Sequence, residues 1–133
     1  MKIGCIFGTG CNAAYIEDCG SIPKLAHLNL ASNTPMVINC EWGAFDNRVL
    51  PRTLYDISVD KDSPRPGQQA FEKLVAGLYL GEIFRLIMVD LFDTHVFAGQ
   101  DIFKLRRRYS LDSSFLAAIE EYVYILPSTD SLS

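Results

Sequence analysis

The groups best suited to chemistry in this chain lie in three short stretches. The first is the run Gly8-Thr9-Gly10-Cys11-Asn12. Glycines at 8 and 10 let the backbone come close to a ligand, with no Cβ to hold it off. Backbone N–H groups and the Thr9 hydroxyl then point into one space, which suits a phosphate. Asn12 follows as the first polar side chain after the turn, with one acceptor and two donors. The second stretch ends an apolar run at Glu41, beside Trp42 and Phe45. A carboxylate at the mouth of a buried strand needs a partner or a ligand. The third contains Gln69 and Glu72, three apart and so on one face of a helical first turn, where the helix dipole favours a carboxylate. Each stretch has a plainer reading. Gly8 to Gly10 also suits an ordinary hairpin turn, Glu41 a strand-end acid capped by amides, and Glu72 a common first-turn acid.

The elements that must position these groups follow from patterning. Residues 3–17 read as strand, tight glycine turn and strand. Cys5, Phe7 and Ala13 alternate with Ile6, Ala14 and Ile16, so both faces are apolar, as in a covered sheet. Residues 23–34 read as loop, and Met36 to Cys40 as a short strand. Between residues 46 and 62 come Asp46, Arg48, Arg52, Asp56, Asp60, Lys61 and Asp62, a solvated crossing with surface ion pairs and a small strand from Tyr55 to Val59. Two prolines, Pro64 and Pro66, then break the chain. A long helix is expected from near Gln68 to about Phe92, kinked or interrupted at Gly77 or Gly81. Its stripe runs Phe71, Leu74, Val75, Leu78, Ile83, Leu86, Ile87 and Leu91. Asp93 to Gln100 reads as a turn and Asp101 to Arg108 as a short helix. Arg106-Arg107-Arg108 reads as a solvated basic face. Asp112 can cap a last helix from Ser113 to about Tyr122, and Ser128 to Ser133 reads as a frayed end.

Composition narrows the class. The 133 residues are 49% hydrophobic and 21% charged, which fits a folded domain with a core. A net charge of −4 lacks the basic footprint of a nucleic-acid binder. Apolar runs are too short to span a membrane, and Met1-Lys2-Ile3-Gly4 reads as carrying no secretory signal. Cys5, Cys11, Cys19 and Cys40 show no paired-ligand spacing, and His27 and His95 pair with none of them. No metal site is expected, and the thiols read as free and buried, in a cytoplasmic setting.

Three ordered stretches also resemble eukaryotic hexokinases, fungal members above all. They are Ile6-Phe7-Gly8-Thr9-Gly10-Cys11-Asn12-Ala13-Ala14-Tyr15, Ile38-Asn39-Cys40-Glu41-Trp42-Gly43-Ala44-Phe45, and Ser63 to Lys73 running into Gly77-Leu78-Tyr79-Leu80-Gly81-Glu82. The likeness covers roughly residues 3–120, read as part of a large lobe, with 121–133 as a divergent tail. It implies an α/β fold, a part of the actin-like (ribonuclease H-like) sugar-kinase fold, built of strand hairpin, strand and long helix. It also implies transfer of the ATP γ-phosphoryl group, with Mg, to the 6-hydroxyl of glucose or a related hexose, the first step of glycolysis. By residue match, Gly8, Thr9 and Gly10 would meet the ATP phosphates. Asn12, Glu41, Gln69 and Glu72 would bind the hexose. The family's general-base aspartate stands in an Asn-Asp-Thr-like segment, and no such segment occurs here. The chain alone is therefore expected to be inactive, since losing a general base costs ~10²–10⁴ in rate. Two other roles follow from what remains: a sugar-binding module, or an interaction protein that self-associates through exposed strand edges.

Overall fold

A bend at Gly8 to Gly10 folds strand β1 (Ile3–Phe7) back on β2 (Cys11–Asp18). Phe7 faces Cys11 and Ile3 faces Tyr15 across this antiparallel pair. β3 (Pro35–Asn39) adds to the far side of β2, with Asp18 opposite Pro35 and Ala14 opposite Asn39. The sheet order is β1-β2-β3. This computed structural model describes residues 2–31, 33–45, 48–94 and 99–125. Asp46, His95, most of the expected turn after Asp93 and the Ser128 to Ser133 end lie outside them.

Alternation puts Cys11 and Ala13 on one sheet face, and both are buried. The short 3₁₀ turn Trp42–Ala44 and helix α2 (Ala70–Val75) cover that face. The Trp42 ring lies 5.2 Å from Phe7 and 5.6 Å from Phe71 by ring centroids, and Phe45 meets Phe71 at 6.3 Å. The other face is not covered: Ile6 is 68% exposed and Val37 69%. The expected two-sided burial is thus corrected to one side, because no described element packs against Ile6, Ile16 and Val37. The expected burial of all four thiols is corrected as well, and not by sheet face, since Cys5 pairs opposite Ala13 on the covered side. Cys11 and Cys19 are buried, but Cys5 and Cys40 are exposed, and all four are free.

The expected strand from Tyr55 to Val59 is a helix, α1 (Leu54–Asp62). Tyr55, Ile57 and Val59 alternate as in a strand, but Thr53 and Asp56 close a capping box. Thr53 Oγ1 accepts from the Asp56 amide, and Asp56 Oδ2 accepts from the Thr53 amide at 2.6 Å. Satisfying two otherwise orphaned amides starts the helix regardless of the alternation. Residues 23–34 are likewise not all loop, since Pro23–Leu28 winds as 3₁₀ turns.

The long helix is two helices. α2 ends at Val75, Ala76 is extended (φ −82°, ψ 141°) and fully buried, and α3 runs Gly77–Asp93. The break frees the Gly77 amide to donate to the Gly8 carbonyl at 2.7 Å, which ties α3 to the glycine bend. Gly81 does not interrupt α3. A Cβ there would lie 2.3 Å from the Leu111 carbonyl oxygen, so glycine is what allows α3 to touch that backbone. The short helix expected from Asp101 to Arg108 contracts to a 3₁₀ turn, Phe103–Arg106. Buried Arg85 holds it: Nη1 donates to the Leu105 carbonyl, and Nε and Nη2 grip Glu82 at 2.8 and 2.7 Å. Glu82 also accepts from the Tyr109 amide at 2.6 Å. Asp112 accepts from the Ser114 amide at 2.8 Å and starts α4 (Ser113–Ile125), which runs past the expected end near Tyr122.

Candidate functional site

One open cleft of about 570 Å³ lies between the glycine bend, the turn after β3 and the start of α2. Thr9, Gly10, Asn12, Glu41, Gln69 and Glu72 all line it. Gly8 does not line it; its carbonyl instead accepts from Gly77 behind the bend. Residues as far apart in the chain as Thr9 and Glu72 therefore meet at one surface. The cleft also takes in Arg65, Lys73 and Tyr79, which patterning alone did not single out.

A hydrogen-bonded row crosses the sheet into the cleft. Asn12 Nδ2 donates to Asn39 Oδ1 at 2.7 Å, and Asn39 Nδ2 donates to Glu41 Oε1 at 2.6 Å. Asn12 Oδ1 accepts from the Ala13 amide at 2.8 Å. Asn39 thus orients both flanking side chains, and Glu41 Oε2 has no partner among the described residues. Asn39 had one usable sign in the sequence, a polar residue in an apolar run two before Glu41. Glu41 itself is exposed rather than set in a buried strand mouth, and its backbone is left-handed (φ 49°). Asparagine bonding helps hold that turn, because its side chain accepts from the Glu41 amide at 3.4 Å.

Gln69 is also left-handed (φ 54°), the residue before α2 rather than a member of its first turn. Such backbone costs on the order of 1 kcal/mol for a residue with a side chain and gathers where surroundings enforce it. Here Gly43 provides the room: a Cβ on it would lie 2.7 Å from Gln69 Oε1 and 3.2 Å from Glu72 Cβ. Gly10 does the same for Glu72, whose Oε2 would stand 2.8 Å from an added Cβ. Glu72 Oε2 accepts from the Cys11 amide at 3.0 Å, leaving Oε1 without a partner among the described residues. The cleft therefore offers carboxylate and amide atoms at fixed positions, a set suited to hydroxyl groups.

Electrostatics of the walls follow from burial. Burial and then the Glu72 carboxylate push the Cys11 thiol above its ordinary 9.0. The same two causes, with Tyr109 third, raise the Tyr79 phenol. Lys73 is buried, with Nζ 2.6 Å from both Asp60 Oδ1 and the Arg65 carbonyl. Burial alone would raise Asp60, but Lys73, the Gly67 amide and Arg52 together hold it below 3.8. Asp60 is therefore not an ordinary surface charge: it anchors the Pro64 to Gly67 wall to α2.

Comparison with known proteins gives a consistent result. A family model described as hexokinase matches residues 2–129. A hexokinase of Emericella nidulans is 67% identical over 129 residues, covering 93% of this chain and 26% of the relative. Hexokinase-1 of Schizosaccharomyces pombe is 52% identical over 122 residues, covering 90% of this chain and 25% of that protein. A solved hexokinase from Schistosoma mansoni complexed with glucose superposes with a TM-score of 0.73 at 41% identity, over 90% of this chain and 27% of that one. The chain spans about a quarter of the length of the curated relatives it matches. Its sheet and helices are part of the actin-like sugar-kinase fold.

Proposed function

Because the chain belongs to the hexokinase family, we propose that it supplies the hexose-holding half of an ATP-dependent hexose 6-kinase acting in glycolysis. The convergence of Asn12, Glu41, Gln69 and Glu72 on one cleft, beside the bend at Thr9 and Gly10, carries this reading. Glu41 and Glu72 accept from sugar hydroxyls through the oxygens left unpaired, while the Asn12 and Gln69 amides both donate and accept. A site that hydrogen-bonds a sugar's hydroxyls discriminates against sugars that leave its groups unpaired. The task of these residues is to position the 6-hydroxyl. The bend suits the terminal phosphates of ATP-Mg, with Thr9 and Gly10 lining the cleft and Gly8 shaping the turn behind them. Bound ATP would supply the transferred group, and Mg would spread its charge. The Asn-Asp-Thr-like segment that would carry the family's general base does not occur in this sequence, so the isolated chain is expected to hold sugar without phosphorylating it. The free thiols, two of them exposed, fit a reducing cytoplasmic setting.

A second reading rests on the edge of β1 that no described strand pairs with. Ile16 donates to the Lys2 carbonyl and Gly8 to the Gly10 carbonyl, so the even-numbered residues face β2. By alternation, the backbone groups of Ile3, Cys5 and Phe7 point outward, and Ile3 and Phe7 are 58% and 59% exposed. This edge supports self-association, and sedimentation as a monomer at all concentrations would remove that role.

The test uses Trp42, next in sequence to Glu41 and the chain's only tryptophan. Its fluorescence is followed while the chain is titrated with glucose, galactose serving as control and near-ultraviolet dichroism reporting the fold. A saturable change with glucose only is expected. A flat response from a chain with native-like dichroism would overturn hexose binding by this half-site.

A further inference from the structure

The basic run after the Phe103–Arg106 turn reads Arg106-Arg107-Arg108-Tyr109-Ser110-Leu111. A serine with arginines two and three residues before it and an apolar residue directly after it matches a particular kind of groove. Protein kinases that prefer basic substrates place carboxylates opposite those two arginines and an apolar pocket opposite the following residue. Each arginine then forms a charge-assisted, directional pair. No other serine or threonine in the chain has arginine at both positions.

We propose that Ser110 is the phosphoacceptor of a basophilic serine/threonine protein kinase, and that the basic cavity around it then holds the phosphate. Residues 106–110 are exposed, and no regular helix or strand covers 107–112. Ser110 makes no side-chain hydrogen bond among the described residues. The segment is presented by anchors on each side: the Tyr109 amide is held by buried Glu82, and the Leu111 backbone lies against Gly81. Lys104, Arg106, Arg107 and Arg108 line one open cavity of about 790 Å³ together with Ser110. Among the described residues only Arg108 of these has an ion pair, at 3.0 Å from Asp62, with both side chains well exposed. An exposed pair of this kind is weak and readily exchanged for a stronger anion. In the reaction the Ser110 Oγ forms a bond to the γ-phosphorus of kinase-bound ATP. The bond from that phosphorus to the β,γ-bridging oxygen breaks and ADP leaves. The hydroxyl proton passes to the kinase's catalytic aspartate and then to solvent. The added charge of about −2 enters a cluster of cations, where it gains charge-assisted hydrogen bonds.

The experiment incubates the full chain with Mg-ATP and the catalytic subunit of a cyclic-AMP-dependent protein kinase, with the modified residue located by tandem mass spectrometry. Expected is a single phosphate on Ser110, abolished in Ser110→Ala. Arg107→Ala and Arg108→Ala each lower kcat/KM of the kinase by about tenfold or more, the scale of one charged hydrogen bond. Phosphate on Ser113 or Ser114 instead, insensitivity to both arginines, or modification of only the urea-unfolded chain would each overturn the assignment. For the holding role, phosphorus NMR follows the second ionisation of the phosphoserine, ordinarily near pH ~6. It is expected to fall in the native chain and to return toward that value in the doubly substituted Lys104→Gln, Arg106→Gln chain. An ordinary value in the native chain would remove the holding role.

Discussion

Two glycines let carboxylate and amide groups crowd into the cleft. Gly10→Ala drives a Cβ to within 2.8 Å of Glu72 Oε2 and strains the Cys11–Glu72 hydrogen bond. Overpacking of this kind costs about 1–3 kcal/mol. Gly8→Ala, where an added Cβ meets nothing, should stay within about 0.5 kcal/mol. Urea midpoints of the two variants check the contrast. Cys11 carries a pH signature. Burial, then the Glu72 charge, raise its thiol in the folded state. The unfolded chain therefore loses that proton first as pH rises. The stabilising contribution is full below the ordinary 9.0 and fades above it, as pH approaches the raised folded value. Unfolding followed through the alkaline range should steepen above 9.0 in the parent and flatten in Cys11→Ala. A thiol reagent at mildly alkaline pH should modify exposed Cys5 and Cys40 before Cys11.

At the scale of elements, two junctions set the geometry. Asp60 at the end of α1 holds Lys73 of α2 and the Gly67 amide, so three segments share one carboxylate. Asp60→Asn leaves a buried ammonium without its anion, at a cost of about 3 kcal/mol. Since the folded Asp60 lies below 3.8, its contribution is present above that pH and lost as pH falls through the depressed value. Acid unfolding monitored by dichroism should shift toward neutral pH in Asp60→Asn and become less steep. The second junction is Gly81 against Leu111. Alanine is the better helix former by about 1 kcal/mol, yet its Cβ would meet a backbone carbonyl that cannot swing aside. Gly81→Ala should therefore destabilise by about 2 kcal/mol net, read as a lower urea midpoint. These junctions also show why part of the chain misled pattern reading. Tyr55, Ile57 and Val59 alternate, but the Thr53–Asp56 capping box is the stronger local instruction. The break at Ala76 comes from tertiary contact, since only there can Gly77 reach Gly8.

Across the described residues, an apolar sheet face and an unpaired β1 edge stand beside a cleft whose polar residues are hydrogen-bonded to one another and to the backbone. Among the described residues, small ones dominate the buried core, Cys11, Ala13, Ala70 and Ala76 among them, and no large side chain is fully buried. The chain corresponds to about a quarter of its relatives' length. With glucose and Mg-ATP, a coupled assay of the isolated chain should show phosphorylation no faster than a buffer control. Turnover above that control would mean that a cleft residue replaces the missing Asn-Asp-Thr base.

The sequence by itself determined the family, the hairpin, the third strand, the cap at Asp112 and the six residues Thr9, Gly10, Asn12, Glu41, Gln69 and Glu72 that line the cleft, but not Arg65, Lys73 or Tyr79. These rest on local chemistry: glycine turns, alternation, capping side chains and motif order. Only the tertiary structure decided that Asn39 links Asn12 to Glu41, that Lys73 and Asp60 close the far wall, and that one sheet face stays open. Each of these depends on which elements pack together, and a partner twenty-seven residues away, as Asn39 is for Asn12, leaves no periodic trace in the chain.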